Sequence, residues 1–224
     1  MLRNFSLILL AVSLSSCAIT EDFKTREAAR AEEMRLKGVR EEANARHAAF
    51  RVETGWKSRT YRDPAVEALL TPENTGIQVS LDDQRGLLMA ADLIAVDFPI
   101  ASGKANFPTP KGSYTILQKS VKYHSNLYGK VYDAGGAVVV GDADRRSAAI
   151  PEGGRFAGAS MPYWMRLTNT GVGLHVGYVP GRPASHGCIR MPSKIAPYIF
   201  EKSKMGTPVI VSSSAPVEWP KPEA

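Results

Sequence analysis

The sequence predicts a mainly β protein with one or few helices: a β-sandwich or barrel-like domain preceded by a charged helical stalk. Three observations predict it. From about Thr75 onward, short β-like runs alternate with Gly- and Pro-rich turns. Only one helical pattern stands out in that region, between Ser193 and Met205. Ahead of it, residues 21–50 are rich in Ala, Glu and Arg and contain no proline.

The elements follow in chain order. Arg3 is the one charge before an apolar run from Phe5 to Leu14, and Ser15-Ser16-Cys17 follows. That layout reads as a secretory signal, and its apolar run is too short to span a bilayer. Leu14-Ser15-Ser16-Cys17 resembles a bacterial lipobox, with cleavage after residue 16 and a diacylglyceryl thioether on Cys17. Only a thiol forms that linkage, and several acyl chains anchor stably where one is marginal. An ordinary signal peptide with an incidental cysteine is the plainer alternative. Ala18, rather than Asp, follows the cysteine. In lipoproteins of double-membrane bacteria this resembles an outer-membrane destination, so the chain is expected to be exported and lipid-anchored, facing the periplasm. No other stretch approaches 18 apolar residues, so no transmembrane helix is expected.

In residues 21–50, seven acidic residues meet seven basic ones, and Asp22–Arg26, Glu33–Lys37 and Glu42–Arg46 stand at i,i+4 with the acid first. Met34, Leu36 and Val39 are too sparse for a coiled-coil seam. The segment reads as a solvated spacer, with a partner-binding helix as the second reading. His47 is expected to be solvated within it.

The β-like runs are Gly76–Leu81, one longer run Leu87–Phe98, then Ser113–Leu117 after the Pro-Thr-Pro-Lys-Gly turn at 108–112. Val138–Val140 is too short to assign. Tyr163–Leu167, Gly173–Val176 and Val209–Ser212 complete the set. The helix at 193–205 has Gly206 at its end and Pro208 beyond. Residues 141–160, polar and glycine-rich, read as a long loop suited to a lid or substrate contact. The division is therefore a signal at 1–16, a lipidated N-terminus, stalk and linker at 17–74, a mainly β domain at 75–213, and a loose tail at 214–224 with three prolines.

Composition narrows the function. An apolar fraction of 44% supports a core, and a net charge of +6 admits a lipid surface or wall polymer as partner without suggesting nucleic acid. Two cysteines exclude a disulfide scaffold and a four-thiolate zinc site. Residues 173–192 hold His175, His186 and Cys188, with glycines at 173, 177, 181 and 187. A cysteine is only a few per cent thiolate near pH 7, and a neighbouring imidazole can take its proton to give an attacking ion pair. The strand carrying His175 and the Gly/Pro-rich return to Cys188 form a geometry that can put those two side chains within reach. The amides of Gly187 and Cys188 are candidates for an oxyanion hole. A metal site from His175, His186 and Cys188 lacks a matching second pair of ligands, so no metal or organic cofactor is expected. His124, in Lys122-Tyr123-His124-Ser125-Asn126, sits in a polar stretch suited to a cleft wall, and Trp164 reads as core or cleft wall.

Ser185-His186-Gly187-Cys188-Ile189-Arg190, with His175 upstream, resembles the motif of the L,D-transpeptidase (YkuD-type) catalytic domain family. There a His precedes [Ser/Thr]-His-Gly-Cys, an apolar residue, and Asn or Arg. Pro99-Ile100-Ala101-Ser102-Gly103-Lys104 and Phe107 to Tyr114 are also similar, so the likeness spans roughly 76–212. The resemblance implies Cys188 as acylated nucleophile, His175 as general base, and the Val176 carbonyl as the group orienting that base. It implies Ser185, His186 and Gly187 as shaping the site and oxyanion region, with Arg190 ordering the loop or meeting a carboxylate. The nine residues between His175 and Ser185 are fewer than in many members. The activity implied is cross-linking of peptidoglycan stem peptides: an acyl-thioester formed on a tetrapeptide passes to an amine, giving 3-3 links. Hydrolysis of the same acyl-enzyme, as L,D-carboxypeptidase or endopeptidase, is the alternative, and an inert wall-binding lipoprotein a third.

Overall fold

The structure, a computed structural model, describes the backbone of residues 5–216 and the side chains of residues 24–216. Cys17 and the export signal at 1–16 lie outside the residues whose side chains are described, and the tail beyond 216 lies outside the described residues altogether. The chain forms two compact units, residues 1–46 and 47–224. Helix α1 covers Phe5–Arg51. Its described charged residues are mostly exposed, with Arg35 on Glu32 at 2.7 Å and Arg46 3.6 Å from Glu42. Such surface pairs hold the helix only weakly. Among the described residues, no helix is long and apolar enough to cross a membrane.

The second unit opens on the last turns of α1. His47 is buried here rather than solvated, because Asp97 needs partners. That carboxylate is wholly excluded from water, and it takes Arg85 Nε at 2.6 Å, His47 Nε2 at 2.8 Å and Arg51 Nη1 at 3.2 Å. Arg85, equally buried, also donates through Nη1 to the carbonyls of Lys57 and Arg59 at 2.9 Å. A buried charge is tolerable only when paired and hydrogen-bonded in this way. The helix end is thus part of the β domain, and the solvated stalk stops short of it.

A short strand β1 (Tyr61–Arg62) and helix α2 (Pro64–Glu67) follow. Asp63 caps α2 by accepting from the amides of Ala65 and Val66. The largest sheet adds β2 (Thr75–Ser80), β3 (Arg85–Ala90), β4 (Leu93–Pro99), β5 (Gly112–Thr115) and β13 (Pro208–Ser212), in the order β1-β4-β3-β2-β13-β5. The single run expected at Leu87–Phe98 is two antiparallel strands. Both are buried throughout, so no polar alternation marks their break, and the turn is made by Ala91 at φ 53° and Asp92 without Gly or Pro. The core lies on this sheet, with Ile77, Val79, Leu88, Val96, Phe98 and Val209 fully buried.

A second sheet has the order β12-β11-β10-β6, from β6 (Gln118–Ser120), β10 (Trp164–Arg166), β11 (Gly173–Val176) and β12 (Ile189–Met191). A third, β8-β7-β9, comprises β7 (His124–Tyr132), β8 (Val138–Asp144) and β9 (Arg155–Ser160). Half of the loop expected at 141–160 is strand: residues 145–154 connect β8 to β9, and the flanking residues belong to those two strands. Helix α3 covers Ala196–Lys202, shorter than expected, and Gly206 follows at φ +85°, a conformation that favours glycine.

Candidate active site

The site is built on two parallel strands. β11 and β12 pair Leu174 with Ile189 and His175 with Arg190. One step back along that register, Gly173 lies opposite Cys188. Side chains alternate along a strand, so Cys188, Arg190 and His175 share one face. They line a cavity of about 680 Å³ whose opposite wall comes from the third sheet, including Tyr128, Lys130 and Asp142.

His175 is 6% exposed. Its Nδ1 lies 2.7 Å from the Val176 carbonyl oxygen. A carbonyl only accepts, so Nδ1 carries the proton and Nε2 keeps a free lone pair. Burial lowers the His175 pKa to about 4, against the opposing pull of the Val176 bond and with help from the Arg190 charge. The fully buried Trp164 stands beneath, 6.1 Å from the imidazole, and is stacked on Tyr123. Cys188 Sγ faces the Gly171 carbonyl at 3.6 Å. Burial pushes its thiol up, partly offset by the Gly173 backbone and the Arg190 charge. Both shifts favour the neutral form of each group in the resting site.

The turn before Cys188 is held from several sides. Gly187 has φ +111°, which a side chain would strain. Ser185 Oγ accepts from the Gly187 amide at 3.1 Å and donates to the Cys188 carbonyl. The Gly187 amide is thus already engaged, which counts against it as one of the two expected oxyanion donors. Thr109, not singled out from sequence, accepts from the Gly103 amide and donates to the Gly187 carbonyl, both at 2.8 Å. A Cβ on Gly103 would fall 2.0 Å from the Phe107 carbonyl oxygen, so glycine is required there. Arg190 exchanges backbone hydrogen bonds with Ala101 at 2.9 and 3.0 Å. The stretch 101–109 therefore braces the cysteine turn.

His186 packs against the third sheet. Its ring stacks on Tyr128 at 4.3 Å and packs against Phe107 at 4.6 Å, and Nε2 lies 3.5 Å from Asp142 Oδ2. It joins the cysteine turn to the third sheet. The Arg190 stem lies against Gly177, where a Cβ would meet Arg190 Cγ at 2.7 Å. His124 is exposed on β7, and its neighbours Tyr123 and Ser125 line the cavity instead. Arg166 was also missed from sequence. It lines the cavity with Nε on Gln118 Oε1 at 2.9 Å and Nη2 on Tyr123 Oη at 3.1 Å. Strand alternation places it on the His175 face, but only once the pairing partner is known. Among the described residues, no cluster of three His, Cys, Asp or Glu could hold a metal.

Similar structures include an L,D-transpeptidase from Mycobacterium smegmatis, 22% identical over 62% of this chain and 58% of that one, TM-score 0.46. L,D-transpeptidase 3 from Mycobacterium tuberculosis is 21% identical over 62% and 61%, TM-score 0.46. A curated relative, "Probable L,D-transpeptidase 3" of Mycobacterium tuberculosis, is 32% identical over 120 residues, half of this chain. The match spans 37% of that relative's length. The sequence model of the L,D-transpeptidase catalytic domain, YkuD, matches residues 74–211, well over half the chain, and the chain belongs to that family.

Proposed function

We propose that the protein is a peptidoglycan L,D-transpeptidase with Cys188 as nucleophile and His175 as general base. The observation that carries this is their placement on one face of paired parallel strands, in one cavity, with the His175 tautomer set by Val176.

The thiol attacks the carbonyl of the third residue of a tetrapeptide stem. As the S–C bond forms, the thiol proton passes to His175 Nε2. The developing oxyanion meets the Cys188 amide. The C–N bond then breaks, and His175 returns the proton to the leaving D-Ala amine. An imidazolium destabilised by burial is a strong acid at that step, which favours the transfer. The acceptor's amine next attacks the thioester, its proton goes to Nε2, and the thiol is restored. The product is a 3-3 cross-link. No metal or organic cofactor takes part in this scheme.

Export and lipidation at Cys17 would hold the enzyme at the outer membrane facing the periplasm, next to an immobile polymer. Residues 21–50 would act as a spacer or as a docking helix for a wall-assembly protein. The activity is tested by mass spectrometry of muropeptides incubated with the full chain. Dimers with loss of D-Ala support transfer, shortened monomers alone indicate hydrolysis, and an unchanged profile refutes both. For the anchor, a Cys17→Ser precursor should lose detergent-phase partitioning, and unchanged partitioning refutes lipidation.

A further inference from the structure

The cavity holds more positive charge than the thiol and imidazole need. Arg166, Arg190 and Lys130 line it, against one carboxylate, Asp142. Asp142 already faces Lys104 at 3.4 Å and His186 at 3.5 Å. A concave site with that balance attracts an anion.

Arg166 is the best prepared of the three. Its strand pairs it with Gln118 of β6 on one side and Gly173 of β11 on the other. Cross-strand neighbours share a face, so Gln118, Arg166, Gly173 and Cys188 form one row. Two strand spacings of about 4.8 Å separate Arg166 from Cys188, within reach of a peptide bound at the thiol. Gly173 is needed between them, because a Cβ there would meet the Trp164 ring at 2.7 Å. Gln118 holds Nε and Tyr123 takes one Nη2 hydrogen. Tyr123 is itself stacked on Trp164 at 4.9 Å and 7°. A guanidinium has five N–H donors. Those left are both hydrogens of Nη1 and one of Nη2, the end of the fork that matches the two oxygens of a carboxylate.

We propose that Arg166 is a specificity-determining residue that anchors a carboxylate of the donor peptide, with Arg190 supplying a second positive charge beside Cys188. This rests on the reading of the cavity as a donor site for stem peptides. The carboxylate is either the C-terminal one or that of the stem's second residue, and the test distinguishes them.

The test is calorimetric binding to the full chain carrying Cys188→Ala. The probes are a synthetic tetrapeptide ending in a diamino acid and D-Ala, the same peptide amidated at its C-terminus, and the same peptide amidated at the second residue. One of the two amidations should weaken binding about ten- to a hundredfold, and which one identifies the anchored group. Adding Arg166→Gln should bring the acid down to the affinity of that amide and abolish the difference between them. Arg166→Lys should restore binding only in part, since it lacks the fork. The proposal is overturned if neither amidation matters, if no peptide binds, or if Arg166→Gln weakens all three equally. Should Arg166→Gln fail to fold, the amidation comparison and Arg166→Lys decide alone. Turnover by the unsubstituted chain is measured separately. Carboxylate-dependent binding without turnover refutes the enzymatic reading and leaves the anchor standing, whereas turnover with indifferent binding refutes the anchor alone.

Discussion

Burial acts on both His175 and Cys188, the pair proposed to react, and the consequence is measurable in the free enzyme. A histidine titrating at about 4 is protonated in about one molecule in a thousand at pH 7, against about one in four for an ordinary histidine at 6.5. The thiol of Cys188 is pushed up from its ordinary value by the same burial. The resting enzyme should therefore hold less thiolate at pH 7 than the few per cent of a free cysteine. The perturbation is pH, and the assay is alkylation of Cys188 by iodoacetamide in a Cys17→Ser chain, followed from pH 6 to 11. The rate should rise about tenfold per pH unit through pH 9, with no plateau near neutrality. Histidine NMR on the same sample should place the His175 transition near pH 4. A neutral-pH plateau of fast alkylation, lost in His175→Gln, would show a preformed ion pair and refute the argument.

Other expectations follow from the same geometry. Asp97→Asn leaves the buried Arg85 without its counter-charge and should cost roughly 3–5 kcal/mol in denaturant unfolding, far more than any exposed pair on α1. Gly187→Ala places a side chain at φ +111° and should cost about 1–3 kcal/mol, with loss of activity and an unchanged far-UV spectrum. The folded pKa of His175 lies below the unfolded value, so its neutral burial contributes fully above about pH 6.5 and is lost as pH falls toward 4. Thermal melts across that range should fall less steeply for His175→Gln than for the parent chain, by up to about 1.4 kcal/mol per pH unit.

The site was legible where chemistry and spacing coincide. Ser185, His186, Gly187 and Cys188 are contiguous, and His175 lies in a short β-like run ahead of a Gly/Pro-rich return. Groups defined by pairing were not legible. Arg166 reads as a lone polar residue at the end of a strand, and its meaning comes from Gln118 and Tyr123, more than 40 residues away. His47 looks like one more polar residue in a charged helix, because Asp97 is 50 positions distant. Residues 141–160 read as a loop because the end of β8 and the whole of β9 are largely exposed and carry Gly141, Asp142, Asp144 and Gly158, which break the apolar alternation that marks a strand. The break between β3 and β4 was hidden for the opposite reason, since both strands are buried along their whole length.

The central claim is that Cys188 carries the acyl group. Its most direct test is the intact mass of the full chain after brief incubation with a tetrapeptide donor and acid quench, followed by peptide mapping. The account predicts an added mass equal to the donor less D-Ala, mapped to Cys188 and absent in Cys188→Ala. An adduct on another residue, or turnover that persists in Cys188→Ala, would contradict it.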